Sequence, residues 1–101
     1  MTDTPKTTPT VAVIGAGRWG RNIIRTLDES SDVSAIAHGG NTEAITYLEE
    51  HFPHIPHTED YQTLLADPEI TSVCIATPTA THADIVRDAL SAGKHVFVEK
   101  P

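Results

Sequence analysis

The sequence predicts an α/β domain: a doubly wound parallel sheet with helices packed on both faces. Two observations carry that expectation. Short β-branched apolar runs recur along the chain, and between them apolar residues repeat at helical spacing. A third sharpens it: Gly15-Ala16-Gly17-Arg18-Trp19-Gly20 stands between the first such run and the first helical stretch.

Thr10–Ile14 (TVAVI) is apolar and β-branched at four of its positions, the pattern of a strand buried on both faces. From Arg18, Ile23, Ile24 and Leu27 recur at helical spacing until Asp28–Asp32 breaks the run. Val33–Ala37 (VSAIA) reads as a second strand, ending in His38-Gly39-Gly40-Asn41. Thr42–Phe52 reads as a helix with Ile45, Leu48 and Phe52 on one face, stopped by Pro53. A very short edge strand is expected within His54–Thr58, at Ile55, weakened by Pro56. Asp60–Ala66 reads as a short helix and Thr71–Ala76 (TSVCIA) as the next buried strand. Thr81–Ala92 is an amphipathic helix with Ile85, Val86, Ala89 and Leu90 inward, closed by Gly93. His95–Val98 is the last strand. Right-handed crossovers then put the first strand at the centre, with the second and fourth on either side of it.

At 101 residues the chain is one domain. Its 39% hydrophobic and 21% charged composition excludes a disordered or fibrous chain. Only one Trp, two Tyr and two Phe are present, so Ala, Val, Ile and Leu must build the core. The formal charge of −7 argues against nucleic acid or an anionic membrane as partner, since both require a cationic face. No run approaches the ~18 apolar residues of a membrane span. Residues 1–9 (MTDTPKTTP) read as a disordered leader without the apolar stretch of a signal peptide, so a cytoplasmic location is expected. Residues 10–101 form the domain, and the absence of a closing helix makes it look cut short before a further domain. Cys74 is the sole cysteine, which excludes an internal disulfide and a multi-cysteine metal site.

G-x-G-x-x-G alone is a weak signal; placed between a buried strand and a helix it points to a dinucleotide and to a Rossmann-type fold. Gly15 permits the tight turn, Gly17 leaves room for a pyrophosphate, and Gly20 lets the helix lie against the strand. First-turn N–H groups and the helix dipole then favour the phosphates. Arg18 and Trp19 belong to the same loop; Trp19 either covers the pyrophosphate or packs at the sheet edge.

The ribose reader is expected about 20 residues on, which lands at His38. An Asp or Glu there would accept from the ribose hydroxyls and repel a 2′-phosphate. His38–Thr42 holds no acid. Arg18 and His38 are available to a 2′-phosphate, with Asn41 and Thr42 as neutral donors, so the NAD(P) choice leans slightly to NADP.

Ala76–His82 (ATPTATH) and Val98–Pro101 (VEKP) follow the fourth and last strands, at the carboxyl rim where ligands sit in open α/β sheets. Together with VAVIGAGRWGRN at Val11–Asn22, IATPTATH at Ile75–His82 and AGKHVFVEKP at Ala92–Pro101 make the chain resemble the Gfo/Idh/MocA oxidoreductases. The resemblance runs from Thr10 to Pro101. It implies an NAD(P)-binding domain followed by an α/β substrate domain, in a full-length protein that forms homo-oligomers. It also implies hydride transfer between a nicotinamide and a sugar, cyclitol or nucleotide-sugar alcohol. The family's catalytic lysine carries onto Lys100, with Glu99 shaping the site. Thr77 and Pro78 line the nicotinamide side, and His82 closes the loop below. A lysine in an apolar crevice near a cationic ring can have its pKa lowered enough to assist proton transfer from the hydroxyl. Non-acidic His38 departs from the NAD-type pattern, and the family's later Asp and His have no counterpart in this sequence.

Two alternatives stand beside this reading: a non-catalytic dinucleotide-binding module or truncated relic, and a domain binding another nucleotide such as coenzyme A. His51, His54 and His57 recur every third residue, but Pro53 and Pro56 break any helix that would align them. A surface loop is expected there, not a metal site. Cys74 reads as a buried inert thiol. Glu43, Glu49, Glu50 and Asp88 read as a solvated helix surface.

Overall fold

The computed structural model describes residues 10–29 and 33–98, excepting the side chains of Arg18, Trp19 and Thr79. Residues 1–9 and Glu99–Pro101 therefore lie outside the described residues. In chain order the elements are β1 (Val11–Ile14), α1 (Arg18–Asp28), β2 (Val33–Ala37), α2 (Thr42–His51) and β3 (His57–Thr58). They continue with α3 (Tyr61–Leu65), β4 (Ser72–Ile75), α4 (Thr79–Ser91) and β5 (His95–Val98). The sheet is parallel throughout, in the order β3-β2-β1-β4-β5. This is the Rossmann-type winding expected of the sequence, with β1 central and the direction of winding reversing between β1 and β4.

Strand alternation sends side chains to both faces, and both are apolar. Ala12, Ile14, Val73 and Ile75 pack with Leu64 and Leu65 of α3 and Ile85 and Ala89 of α4. Val13 and Ile36 pack on the other face with Ile24 of α1 and Ala44 and Leu48 of α2. A central strand buried on two faces has no use for polar alternation, which is why TVAVI carries none.

Four local readings need correction. The edge strand lies within the expected His54–Thr58 but falls at His57–Thr58, not at Ile55. Pro56 has no N–H but offers its carbonyl to the Ile36 N–H at 3.0 Å, so pairing begins at Pro56, while Ile55 turns into the core. Helix α4 begins at Thr79, two residues early, because Pro78 at its N-cap is extended and residue 79 is the first free to turn. Leu90 is 60% exposed, not inward. Ile85 and Ala89 point at the sheet, and Leu90 lies 100° round the helix from Ala89 by the ~100° step per residue. Cys74, expected to be buried, is only half-buried, on the α1 face of β4. Among the described residues no helix is long and apolar enough to cross a membrane.

Candidate functional site

Parallel register brings the strand ends to one rim: Ile14 pairs with Ala37 and with Ile75, and Ile75 pairs with Val98. The glycine loop leaves β1 at the centre of that rim and is fastened on both sides. Gly15 N–H donates to the Ala37 carbonyl at 2.8 Å, and Ala76 N–H donates to the Ile14 carbonyl at 2.8 Å. Gly15 has φ +117°, and a Cβ there would stand 2.8 Å from the carbonyl carbon and oxygen of Ala76. A Cβ on Gly20 would overlap the carbonyl oxygen of Gly15. These two glycines let α1 pass close against the strand ends. Gly17 differs: among the described residues, its chain neighbours aside, a Cβ there meets no atom within 4 Å, so its missing side chain leaves open space above the loop. Gly17 caps α1, and no acid stands in the helix's first turn.

That space is a crevice of about 550 Å³. Its floor is Gly15, Ala16 and Gly17; Ala76, Thr77 and Pro78 contribute from the end of β4, Gly39 and Asn41 from the loop after β2, and Glu43 and Ala44 from the first turn of α2. A second cavity of about 290 Å³ shares Gly15, Gly39, Thr77 and Pro78 and extends to His38, Glu59, Tyr61 and Thr81. The loop after β4 is internally braced. His82 Nε2 bonds the Thr77 carbonyl at 2.6 Å, and the Thr81 hydroxyl bonds the Thr77 hydroxyl at 2.8 Å and the Pro78 carbonyl at 2.7 Å. His82 thus acts from the first turns of α4 on the segment that lines the crevice. An apolar groove between α1 and β5, lined by Ile23, Leu27, Cys74 and Phe97, shares no residue with the crevice.

The structure thus brings together Gly15, Gly17, Asn41, Thr77 and Pro78, with Gly20 beneath and His82 behind. The side chains of Arg18 and Trp19, and all of Glu99 and Lys100, lie outside the described residues. Thr42 is exposed in the first turn of α2, and Asn41 caps that helix by accepting from Ala44 N–H at 3.1 Å. His38 departs from the expectation. It is 8% exposed, with Nδ1 accepting from Gly40 N–H at 3.0 Å and Nε2 3.1 Å from His57 Nδ1. Both ring nitrogens are occupied within the protein, so His38 is not presented as a phosphate ligand. Burial, and then the charge of His57, holds its pKa below the ordinary value.

Two crevice residues carry no sequence signal that singled them out. Arg21 Nε donates to the Ala16 carbonyl at 3.0 Å, and its Nη2 lies 2.5 Å from Glu43 Oε1. Glu43 is thus an ion-pair partner on the crevice wall, not merely solvated surface. The hydrogen bond from Arg21 draws its carboxyl below the ordinary range, and Glu43 in turn raises Arg21. Glu49 and Asp88 also have partners, His57 at 3.5 Å and Tyr61 at 2.7 Å. The three spaced histidines diverge: His51 stacks on Tyr47, His54 meets Asp28 at 2.8 Å, and His57 sits half-buried in β3.

A sequence model described as "Oxidoreductase family, NAD-binding Rossmann fold" matches residues 10–101. The chain belongs to the Gfo/Idh/MocA oxidoreductases. It is 37% identical over 99 residues to the uncharacterized oxidoreductase YrbE of Bacillus subtilis, covering 88% of this chain and 26% of that one. It is 32% identical over 100 residues to inositol 2-dehydrogenase of Gluconacetobacter diazotrophicus, covering 90% of this chain and 28% of that one. Biliverdin reductase of Synechocystis, solved with biliverdin and NADP+, superposes with a TM-score of 0.81 at 28% identity, covering 93% of this chain and 30% of that one. The chain thus spans between a quarter and a third of each of these relatives.

Proposed function

We propose that the crevice binds an NAD(P) dinucleotide, and that this domain is the cofactor half of an oxidoreductase acting on a sugar, cyclitol or nucleotide-sugar alcohol. The observation that carries it is the contrast among the glycines: Gly15 and Gly20 are required by backbone contacts, whereas Gly17 is bare above an open, acid-free helix start. A pyrophosphate fits that position, taking the first-turn N–H groups of α1 with the helix dipole behind them. Gly39 and Asn41 would lie along the adenosine side, and Thr77 and Pro78 along the path toward the nicotinamide. His82 would keep the Thr77 carbonyl turned away from the cofactor.

When bound, the nicotinamide supplies the hydride chemistry. Lys100 would then hold the substrate hydroxyl and take or share its proton, with Glu99 shaping the same wall. This assignment follows the family motif, and it is supported by β5 ending at Val98, level with Ile75 at the crevice rim. The inositol dehydrogenase relative supports a polyol substrate. Biliverdin reductase, solved with biliverdin and NADP+, carries a domain of the same fold beside a different ligand, which supports placing substrate choice mainly outside this domain.

Calorimetric titration with NADH and NADPH tests the binding. Because a Cβ at Gly17 stands in open space among the described residues, Gly17→Val should keep the fold and lose the cofactor. Equal affinity of the variant and the unmodified protein would sink the assignment. For the chemistry, Lys100→Ala should abolish alcohol-dependent NAD(P) reduction by the protein to which this domain belongs, while cofactor binding persists.

A further inference from the structure

Arg21 is held at three points while facing the crevice. Its Nε is bonded to the glycine-loop carbonyl of Ala16, its Nη2 to Glu43, and its guanidinium lies 4.2 Å from the centroid of the Tyr47 ring. A guanidinium has five N–H donors, so these bonds leave donors unspent. Glu43 sits in the first turn of α2, five residues past the point where a ribose-reading acid would stand, and uses Oε1 alone in the pair. The Glu43 side chain is 72% exposed and that of Arg21 21%, so it is the carboxylate that lies in solvent and can leave the pair at little cost. A phosphate dianion offers Arg21 a stronger, bidentate partner than one exposed carboxylate.

We propose that the Arg21–Glu43 pair sets the preference between NADP and NAD: Glu43 repels a 2′-phosphate, and Arg21 accepts one by releasing Glu43. This rests on the dinucleotide reading above. The missing acid at His38 is then replaced from α2, and the cation that offsets it comes from α1. Asn41 and Gly39, on the same wall, leave the space between them free of a bulky apolar side chain. With NAD bound, the pair stays closed and Glu43 Oε2 is available to a ribose hydroxyl. With NADP bound, Arg21 turns to the phosphate while keeping its contact with Tyr47.

The experiment is calorimetric titration of the protein with NAD+ and NADP+, read as the ratio of the two dissociation constants, Kd(NADP+)/Kd(NAD+). Glu43→Gln removes the repulsion and should lower that ratio about tenfold; Arg21→Met removes the acceptor and should raise it about tenfold. Arg21→Lys keeps the charge but not the fork, so it should raise the ratio severalfold; it serves in place of Arg21→Met if that variant does not fold. Ratios within twofold of the unmodified protein, or shifts of the same sign at both positions, would overturn the proposal. If neither cofactor binds the unmodified protein, the dinucleotide reading fails and this one falls with it.

Discussion

His38 donates its Nε2 proton to Nδ1 of His57 across 3.1 Å, linking the end of β2 to the edge strand β3. The tautomers follow from the neighbours. Gly40 N–H points at His38 Nδ1, so the ring proton of His38 must be on Nε2. His57 then accepts at Nδ1 and carries its own proton on Nε2, which faces Glu49 at 3.5 Å. The position that reads the ribose in many dinucleotide folds is here turned inward to hold Gly40 and β3. There it braces the loop that leads from β2 to the crevice wall.

Stability should therefore depend on pH through His38. Its folded pKa lies below the ordinary value of 6.5, chiefly through burial and then through the charge of His57, with Glu59 opposing. The unfolded chain binds the proton first as pH falls, so stability is full above about 6.5 and declines down through the lower folded pKa. Thermal melts between about pH 7.5 and pH 5 should show the midpoint falling, and a His38→Gln variant should show a flatter profile over that window. Parallel profiles would mean that His38 contributes nothing to the dependence.

The three glycines of the loop should separate cleanly in stability. An Ala at Gly20 must push against the backbone carbonyl of Gly15, and an Ala at Gly15 must adopt φ +117° against the Ala76 carbonyl. Neither obstacle is a movable side chain, so each should cost about 2–3 kcal/mol. Gly17→Ala, in open space with an ordinary extended φ of −80°, should stay within about 0.5 kcal/mol of the parent. Urea denaturation of the three variants decides it, and a Gly17→Ala loss matching that of Gly20→Ala would contradict the geometry.

Winding order, the central strand and the glycine turn were legible because apolar period and glycine spacing report backbone constraints directly. β2 and β5 match their expected limits, and β1, β4 and α1–α3 come within a residue or two. Pairings across the crevice were not legible. Arg21 and Glu43 are 22 positions apart on different helices, and nothing in either local pattern says that α1 and α2 start side by side. The same holds for His38 and His57: a histidine read one residue at a time looks available to a ligand, and only the arrival of β3 shows its ring already engaged. Leu90 failed for a different reason. Ile85 and Ala89 face the sheet, and Leu90, one step round α4 from Ala89, is left to solvent.

Tyr61 should be worth about 1 kcal/mol through its hydroxyl, which donates to Asp88 Oδ2 at 2.7 Å and ties α3 to α4. The carboxylate also receives Gln62 Nε2 at 3.0 Å. The hydrogen bond from Tyr61 to Asp88, with burial, pushes the Tyr61 pKa from 10.0 up to about 12. The sign follows: the stabilisation is complete below pH 10 and is lost as pH rises through about 12. Tyr61→Phe should be less stable than the parent at pH 7 and closer to it near pH 11 by chemical denaturation. A gap that does not narrow would assign the loss to packing instead.

Lys94 stabilises the opposite end of the sheet and should be separable from binding. It is 9% exposed, and its Nζ donates to the carbonyls of Asp67 at 2.8 Å and Ile70 at 2.5 Å. Those carbonyls close the turn between α3 and β4, and Lys94 immediately precedes β5, so one ammonium joins the starts of two neighbouring strands. Replacing it with Met keeps the methylene packing and removes the donor. The Ile70 carbonyl is then left without its short partner in a buried place, a loss of about 2 kcal/mol. The crevice lies at the other end of these strands, so cofactor affinity should be unchanged wherever the variant is folded. Urea denaturation with and without NADPH measures both quantities on the same samples. An unaltered midpoint would show that solvent replaces the ammonium freely; a midpoint lowered together with weakened NADPH binding would show that this turn and the crevice are mechanically coupled through β4.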